Sequence, residues 1–177
     1  MKYKHIKKQK VFENKHMAVY EEDLILPDGQ EVKWTFVKDY IAVGVIAFTP
    51  ENELLLVKQY RPAIKQELVE LPAGLVEPGE DIECAAIREL EEETGYRARK
   101  IKKVCEYFRS PGISASKMVI YFAEDLIKTE QCLDDCEFLD VLKVDVDDIE
   151  KMLEGPIDGK TLYALCYIKS NLDNLLK

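Results

Sequence analysis

Within six positions this chain places Arg88, Glu89, Glu92 and Glu93, residues whose types and spacing can do chemistry. On a helix that advances about 100° per residue, Glu93 sits about 40° from Glu89 and Glu92 about 60° to its other side. Ile82, Ala85 and Ala86 fall in the same arc and Leu90 borders it, so Glu89 and Glu93 continue the apolar, inward side of the helix. Carboxylates at this spacing lie about 5–6 Å apart, and each like-charge pair costs roughly 3 kcal/mol at an effective dielectric near 20. An inward cluster under that repulsion calls for a proton or a cation. Oxygen donors in number select a hard ion, Mg2+, with Mn2+ as a substitute. The plainer alternative is a solvated acidic helix in which Arg88 pairs with Glu92 four residues on.

The flanking residues decide between the two. Residues 74–96 carry the spacing Gly-x5-Glu-x7-Arg-Glu-Leu-x-Glu-Glu-x-Gly-Tyr, through Gly74, Glu80, Arg88, Glu89, Leu90, Glu92, Glu93, Gly95 and Tyr96. This segment resembles the Nudix box at every fixed position. The resemblance implies a loop–helix–loop that binds divalent metal ions and an enzyme that hydrolyses a nucleoside diphosphate linked to another group. It further implies the backbone carbonyl of Ala73 as a metal ligand beside Glu89, Glu92 and Glu93. Arg88 is expected to hold Glu80 or Glu92 in place.

Residues outside the box narrow the expectation. Val57-Lys58-Gln59-Tyr60-Arg61-Pro62, Glu67-Leu68-Val69-Glu70-Leu71-Pro72-Ala73-Gly74, Ser110-Pro111-Gly112 and Leu26-Pro27-Asp28-Gly29 together resemble the ADP-ribose pyrophosphatase branch. That resemblance implies Mg2+-dependent cleavage of ADP-ribose, or a related ADP-sugar, to AMP and a sugar phosphate. It also implies a homodimer joined through an N-terminal hairpin. Arg61 offers a planar fork for phosphate or ribose, against a surface ion pair. Trp34 and Tyr60 can stack on a base or pack in the core. Pro111 and Gly112 are substrate-side residues by resemblance, or a plain turn. One departure stands out: such enzymes carry a glutamate in the loop after Ser-Pro-Gly, whereas Ile113-Ser114-Ala115-Ser116-Lys117 has no acid. Glu93, Glu92 or Glu137 could then accept the proton, or a metal-bound hydroxide needs little help from a base. Two alternatives stay open, a pyrophosphatase for another nucleoside diphosphate sugar such as GDP-mannose, and a catalytically weak nucleotide-sugar sensor.

Composition agrees with a small anionic substrate rather than a polymer. The 177 residues hold 34 acids against 25 lysines and arginines, which argues against nucleic acid as a partner. No apolar run reaches membrane-spanning length, and Met1 to Lys10 is basic without an apolar signal core, so a cytoplasmic location is expected. Five cysteines, an odd number, suit reduced thiols. Cys132-x3-Cys136 lacks the second pair that a zinc site needs, and Cys84, Cys105 and Cys166 read as buried or half-buried. His5 and His16 read as surface or packing residues.

The elements that must position these groups follow from periodicity. An alternating stretch, Val11 to Ile25, then a Pro-Asp-Gly turn and Glu31 to Val37, predict a hairpin. Ile41 to Phe48 and Glu53 to Tyr60 predict strands covered on both faces. Further strands are expected at Glu67 to Leu71, Ile101 to Arg109, Lys117 to Glu124 and Phe138 to Val144. A helix spans Asp81 to Thr94 with Gly95 as its stop. A short helix follows at Asp147 to Leu153, then a last one at Thr161 to Leu175 with Leu162, Leu165, Cys166 and Ile168 inward. The fold class is α+β, a mixed sheet between helices, and the resemblance implies the Nudix α/β/α sandwich over residues 40 to 150. The expected division is an arm, 1–39, and a hydrolase domain, 40–177.

Overall fold

Among the described residues ten segments form strands, the interior ones rich in β-branched and leucine residues, and three break from that pattern into helix. The computed structural model describes residues 1–15 and 17–175; His16 lies outside the described residues. The elements are β1 (Lys4–Glu13), β2 (Ala18–Ile25), β3 (Glu31–Val37), β4 (Ile41–Ala47), β5 (Glu53–Arg61), β6 (Gln66–Glu70) and β7 (Ala73–Leu75). After α1 (Ile82–Thr94) come β8 (Tyr96–Phe108), β9 (Lys117–Lys128), β10 (Leu139–Asp145), a 3-10 helix (Val146–Glu154) and α2 (Gly159–Leu175).

One unit comprises Met1–Ile41 with Tyr107–Lys117. Its sheet runs in the order β1-β2-β3, both pairs antiparallel, with Glu13 opposite Ala18 and Ile25 opposite Glu31. The expected single hairpin is therefore a three-stranded meander. The apolar alternation of Val11 to Ile25 crosses a turn without glycine or proline, closed instead by Asn14, whose Oδ1 accepts the Met17 N–H at 2.7 Å. The second turn is the legible one: Asp28 Oδ1 accepts from Gln30 N at 3.0 Å, and Gly29 takes φ +90°. The loop from Ser110 to Ser116 closes on Asp39, whose Oδ1 accepts Ala115 N at 2.6 Å and Ser114 Oγ at 3.2 Å.

The other unit comprises Ala42–Glu106 with Met118–Lys177. Sheets run β7-β4-β9-β8 and β10-β5-β6. Val43, Val45, Ile46 and Ala47 of β4 and Leu54 to Val57 of β5 are fully buried, as strands covered on both faces require. Together with α1, α2 and the 3-10 helix this makes the fold α+β. Strand β8 starts five residues before the expected Ile101, directly after Gly95.

The inward side of α2 is Thr161, Ala164, Leu165 and Ile168, while Leu162 and Cys166 face outward. The expected stripe was wrong at those two positions because the helix starts at Gly159 and its buried arc is centred on Ala164 and Leu165. Cys84 is likewise exposed rather than buried, being on the outer side of the first turn of α1, and Cys105 is half-buried. Cys132 and Cys136 are exposed.

Helix α1 has clear ends. Asp81 caps it by accepting from Glu83 N at 3.0 Å and Cys84 N at 3.1 Å. Gly95 takes φ +70° and donates to Glu91 O at 2.9 Å. A Cβ on Gly95 would also stand 3.1 Å from Gln131 N. Gly95→Ala should therefore lower the unfolding free energy by about 1–2 kcal/mol, the usual penalty for left-handed backbone at a residue with a side chain; urea denaturation checks this.

Candidate active site

The site is built where α1 crosses β7. Glu89 and Glu93, one turn apart, face into the protein with side chains of residues 9% and 3% exposed. Opposite them runs Ala73-Gly74, held in β7 by pairing with Gly44 and Val43 of β4. Ala73 N donates to Glu93 Oε2 at 2.8 Å. Gly74 carries no side chain because none fits: a Cβ there would lie 2.0 Å from the Glu89 carboxyl carbon.

Arg88 lies alongside and binds three acids of the segment, Glu80, Glu89 and Glu92. Its Nε and Nη2 grip Glu80 at 2.8 and 3.0 Å, and Nη2 reaches the Leu75 carbonyl at 3.0 Å. Its Nη1 donates to Glu89 Oε1 and to Glu92 Oε2, each at 2.8 Å. Glu80, also accepting from Glu77 N at 2.9 Å, is pulled down to a pKa of about 2, chiefly by the Arg88 bond.

The two inward acids move the other way. Burial pushes Glu89 up to about 7, against the pull of Arg88 and with the push of Glu92 and Glu137. Burial pushes Glu93 up to about 8; the Ala73 N–H opposes this, and Glu89 and Glu137 add to it. Carboxylates so placed hold protons near neutral pH unless a cation replaces them. Among the described residues no three His, Cys, Asp or Glu side chains already stand at liganding distance. Arg88 Nη1 instead takes an oxygen of both Glu89 and Glu92. The donor set nevertheless fits a hard divalent ion: buried carboxylates, no nitrogen or sulfur, and a glycine that leaves the space open.

The remaining sequence candidates fall into three places. Glu137 is exposed in a turn after β9, its backbone bonded to Asp134, yet its charge is felt by both inward acids. Arg61, at the end of β5, forms a bidentate pair with Glu70 at 2.5 and 2.7 Å. Its neighbour Tyr60 is 56% exposed, which rules out core packing. Trp34, Pro111 and Gly112 belong to the first unit. Trp34 is 43% exposed on β3, its ring 5.7 Å from Tyr3 and 6.4 Å from Phe36. Pro111 and Gly112 form an exposed turn in which Ser110 O accepts from Ile113 N and Ser114 N. Pro111 also lines a cavity of about 390 Å³ with His5, Lys8, Phe36, Asp39 and Phe108, in which His5 pairs with Glu22 at 2.6 Å.

Sequence reasoning missed a buried ionic group. Glu70, 2% exposed, meets Arg61 on one side and Lys160 Nζ on the other. Lys160 also reaches Asp158 Oδ1 at 3.2 Å. Burial works to raise Glu70, but the Arg61 bond and the Lys160 charge outweigh it and hold Glu70 below its ordinary value. The available signal was Asp158-Gly159-Lys160-Thr161, an N-cap motif opening α2. Asp39 was missed too, and it gives the acid-free loop a carboxylate partner from outside.

A helix with two buried acids, clamped by an arginine against a glycine strand, defines a metal-dependent hydrolase of the Nudix type. The NUDIX domain matches residues 38–166, and the chain belongs to that family. It is 39% identical over 170 residues to the ADP-ribose pyrophosphatase of Bacillus subtilis (strain 168), covering 94% of this chain and 92% of that one. It is 37% identical over 170 residues to the methanol dehydrogenase activator of Bacillus methanolicus, with the same 94% and 92% coverage. A crystal structure of an ADP compounds hydrolase superposes with a TM-score of 0.88 at 24% identity, covering 98% of this chain and 95% of that one. The protein is thus a Nudix hydrolase, an enzyme of a family that uses divalent metal. Among the described residues no helix is long and apolar enough to cross a membrane.

The Gly74 contact gives a structural test. Gly74→Ala should lower stability by about 1–3 kcal/mol through overpacking. Combining it with Glu89→Ala, which removes the clashing carboxylate, should recover most of that loss in thermal denaturation. A double variant as unstable as the single one would locate the clash elsewhere.

Proposed function

We propose that the protein hydrolyses the pyrophosphate bond of ADP-ribose, or of a closely related ADP-sugar, to AMP and a sugar phosphate in a Mg2+-dependent reaction. The observation that carries this is the pair of inward acids, Glu89 and Glu93, in a chain 39% identical to an ADP-ribose pyrophosphatase. Glu89 and Glu93 would hold the ion, with Glu92 and the Ala73 carbonyl completing its oxygen donors. When bound, the ion supplies positive charge to the two phosphates and acidifies water.

The chain's own residues do the rest. Arg88 keeps Glu89 and Glu92 aligned through one nitrogen while Glu80 fixes its other end, the orienting role that outer partners play around metal ligands. Glu137 is exposed and Glu92 half-buried with one oxygen held by Arg88; these are the groups that accept the proton as water attacks phosphorus. Glu93 serves in that role only if the ion leaves one of its oxygens free. In the unit that carries the acids, the exposed phenol of Tyr60 stacks on the base or ribose and Arg61 faces the anionic end; Trp34, Pro111 and Gly112 are substrate-side residues by the family resemblance alone.

A homodimer belongs to the same proposal. Every residue of β1 is exposed and the strand is an edge of its sheet, with Ile6, Val11 and Phe12 uncovered among four lysines; its unpaired backbone edge can seat a second copy. The five unpaired thiols suit a cytoplasmic setting.

Purified protein incubated with ADP-ribose and Mg2+ should release AMP and ribose 5-phosphate, and Glu93→Gln should slow this by about 10²–10⁴-fold while remaining folded. ADP-ribose left intact while a GDP- or UDP-sugar is cleaved would move the assignment to that nucleotide. Binding without turnover of any sugar nucleotide would favour a sensor.

The raised acids also predict a pH signature. In metal-free protein a carboxyl whose folded pKa is raised stabilises the fold below its unfolded pKa, near 4.5, and that stability is lost as pH climbs through about 7 and 8. Between pH 6 and 9 the metal-free melting temperature should fall by at least about 2–4 °C, equivalent to ~1 kcal/mol. Added Mg2+ should remove most of that fall. A flat profile without metal would mean that neither acid is desolvated as described.

A further inference from the structure

We infer that the first turn of α2, Asp158-Gly159-Lys160-Thr161, is a positioning element for the active site, acting on its metal side through Thr161 and on its substrate side through Lys160. This rests on the proposed metal-dependent hydrolysis, and it assigns work to residues about 70 positions away from the box.

The metal-side connection is a chain of hydrogen bonds. Thr161 is fully buried. Its hydroxyl donates to Asp158 Oδ2 at 2.5 Å and accepts the Leu71 N–H at 2.8 Å. A hydroxyl whose proton is committed to a carboxylate presents its lone pairs to Leu71, so Asp158 fixes the direction of the bond. From Leu71 the chain runs through Pro72, whose carbonyl accepts from Val45 N at 2.9 Å, into Ala73. Ala73 N then holds Glu93 Oε2 at 2.8 Å. The strand that supplies both the Glu93 contact and the Ala73 carbonyl is thus pinned by β4 on one side and by Thr161 just upstream.

The substrate-side connection is ionic. Lys160 is 9% exposed and lies between Glu70 Oε2 and Asp158 Oδ1. Glu70 spends both oxygens on the Arg61 fork, through Nε and Nη2. Two cations, Arg61 and Lys160, therefore face two anions, Glu70 and Asp158, and the group is locally neutral. Lys160 fixes Glu70, and Glu70 fixes the plane in which Arg61 presents its guanidinium. A buried ion pair is weak evidence for stability alone, and here one side of it ends on an arginine 43% exposed at the end of β5.

The two arms separate kinetically. Thr161→Val, near in volume but without the hydroxyl, should lower kcat for ADP-ribose by about 10–100-fold and weaken Mn2+ affinity of the substrate-free protein by a similar factor. Its KM should stay within about threefold, and Thr161→Ser, which keeps the hydroxyl, should restore both. Lys160→Met should instead raise KM by about tenfold with Mn2+ affinity within threefold, and Lys160→Arg should restore it. Calorimetry with Mn2+ alone reads the metal arm even if ADP-ribose proves not to be a substrate. In that event the hydrolysis assignment fails while this inference stands or falls on the affinity ratio of Thr161→Val to Thr161→Ser. Wild-type kcat and Mn2+ affinity in a folded Thr161→Val would overturn it. So would a loss of both in Thr161→Ser equal to that in Thr161→Val, which would reduce the turn to structural support.

Discussion

Two carboxylates turned into a protein interior form the constraint on which this structure depends. Glu89 and Glu93 are there because the helical repeat places them with Ala85 and Ala86, whose burial stabilises α1 against β7. Removing that pair of charges from water is unfavourable by several kcal/mol per ion unless something answers them. The surrounding residues answer in part. Arg88 touches one acid, the Ala73 N–H the other, and Gly74 withdraws its side chain so that Glu89 fits. The balance still leaves both acids far above the ordinary carboxylate range, which makes the site a receptor for positive charge. On the proposed function, an ion held here would neutralise a diphosphate as well as the acids.

The core of this arrangement was legible in the sequence because it is local. Asp81, Arg88, Glu89, Glu93 and Gly95 sit on one helix, and a repeat of 3.6 residues fixes which of them face inward. The strands of the interior were equally plain, since runs such as Leu54 to Val57 belong only in a doubly covered sheet. What the sequence hid depends on long-range contact. Lys160 meets Glu70 across 90 positions, and Asp39 meets Ala115 across 76; no local period announces either. The reason for Gly74 was equally hidden, because it is set by a carboxylate on a different element rather than by backbone conformation.

Errors of periodicity had simple physical origins. The N-terminal alternation continued through the Asn14 turn because an asparagine side chain can close a turn without glycine or proline. The inward side of α2 was displaced by polar Thr161, which is fully buried because its hydroxyl is used on both sides. A buried polar residue at a helix start is easily mistaken for a cap, and a neighbouring leucine is then assigned inward in its place. The second misassignment sits beside the hydrogen bond from Leu71 N to the Thr161 hydroxyl, two residues before Ala73.

If Glu89 and Glu93 hold the ion as proposed, protons and a divalent cation compete for them. Calorimetric titration of Mg2+ at pH 7, repeated in two buffers of different ionisation enthalpy, measures that competition as protons released per ion bound. Release of about one to two protons is expected, falling towards zero above pH 9 where both acids are already ionised. Binding at pH 7 with no proton release, or no binding at all, would contradict it.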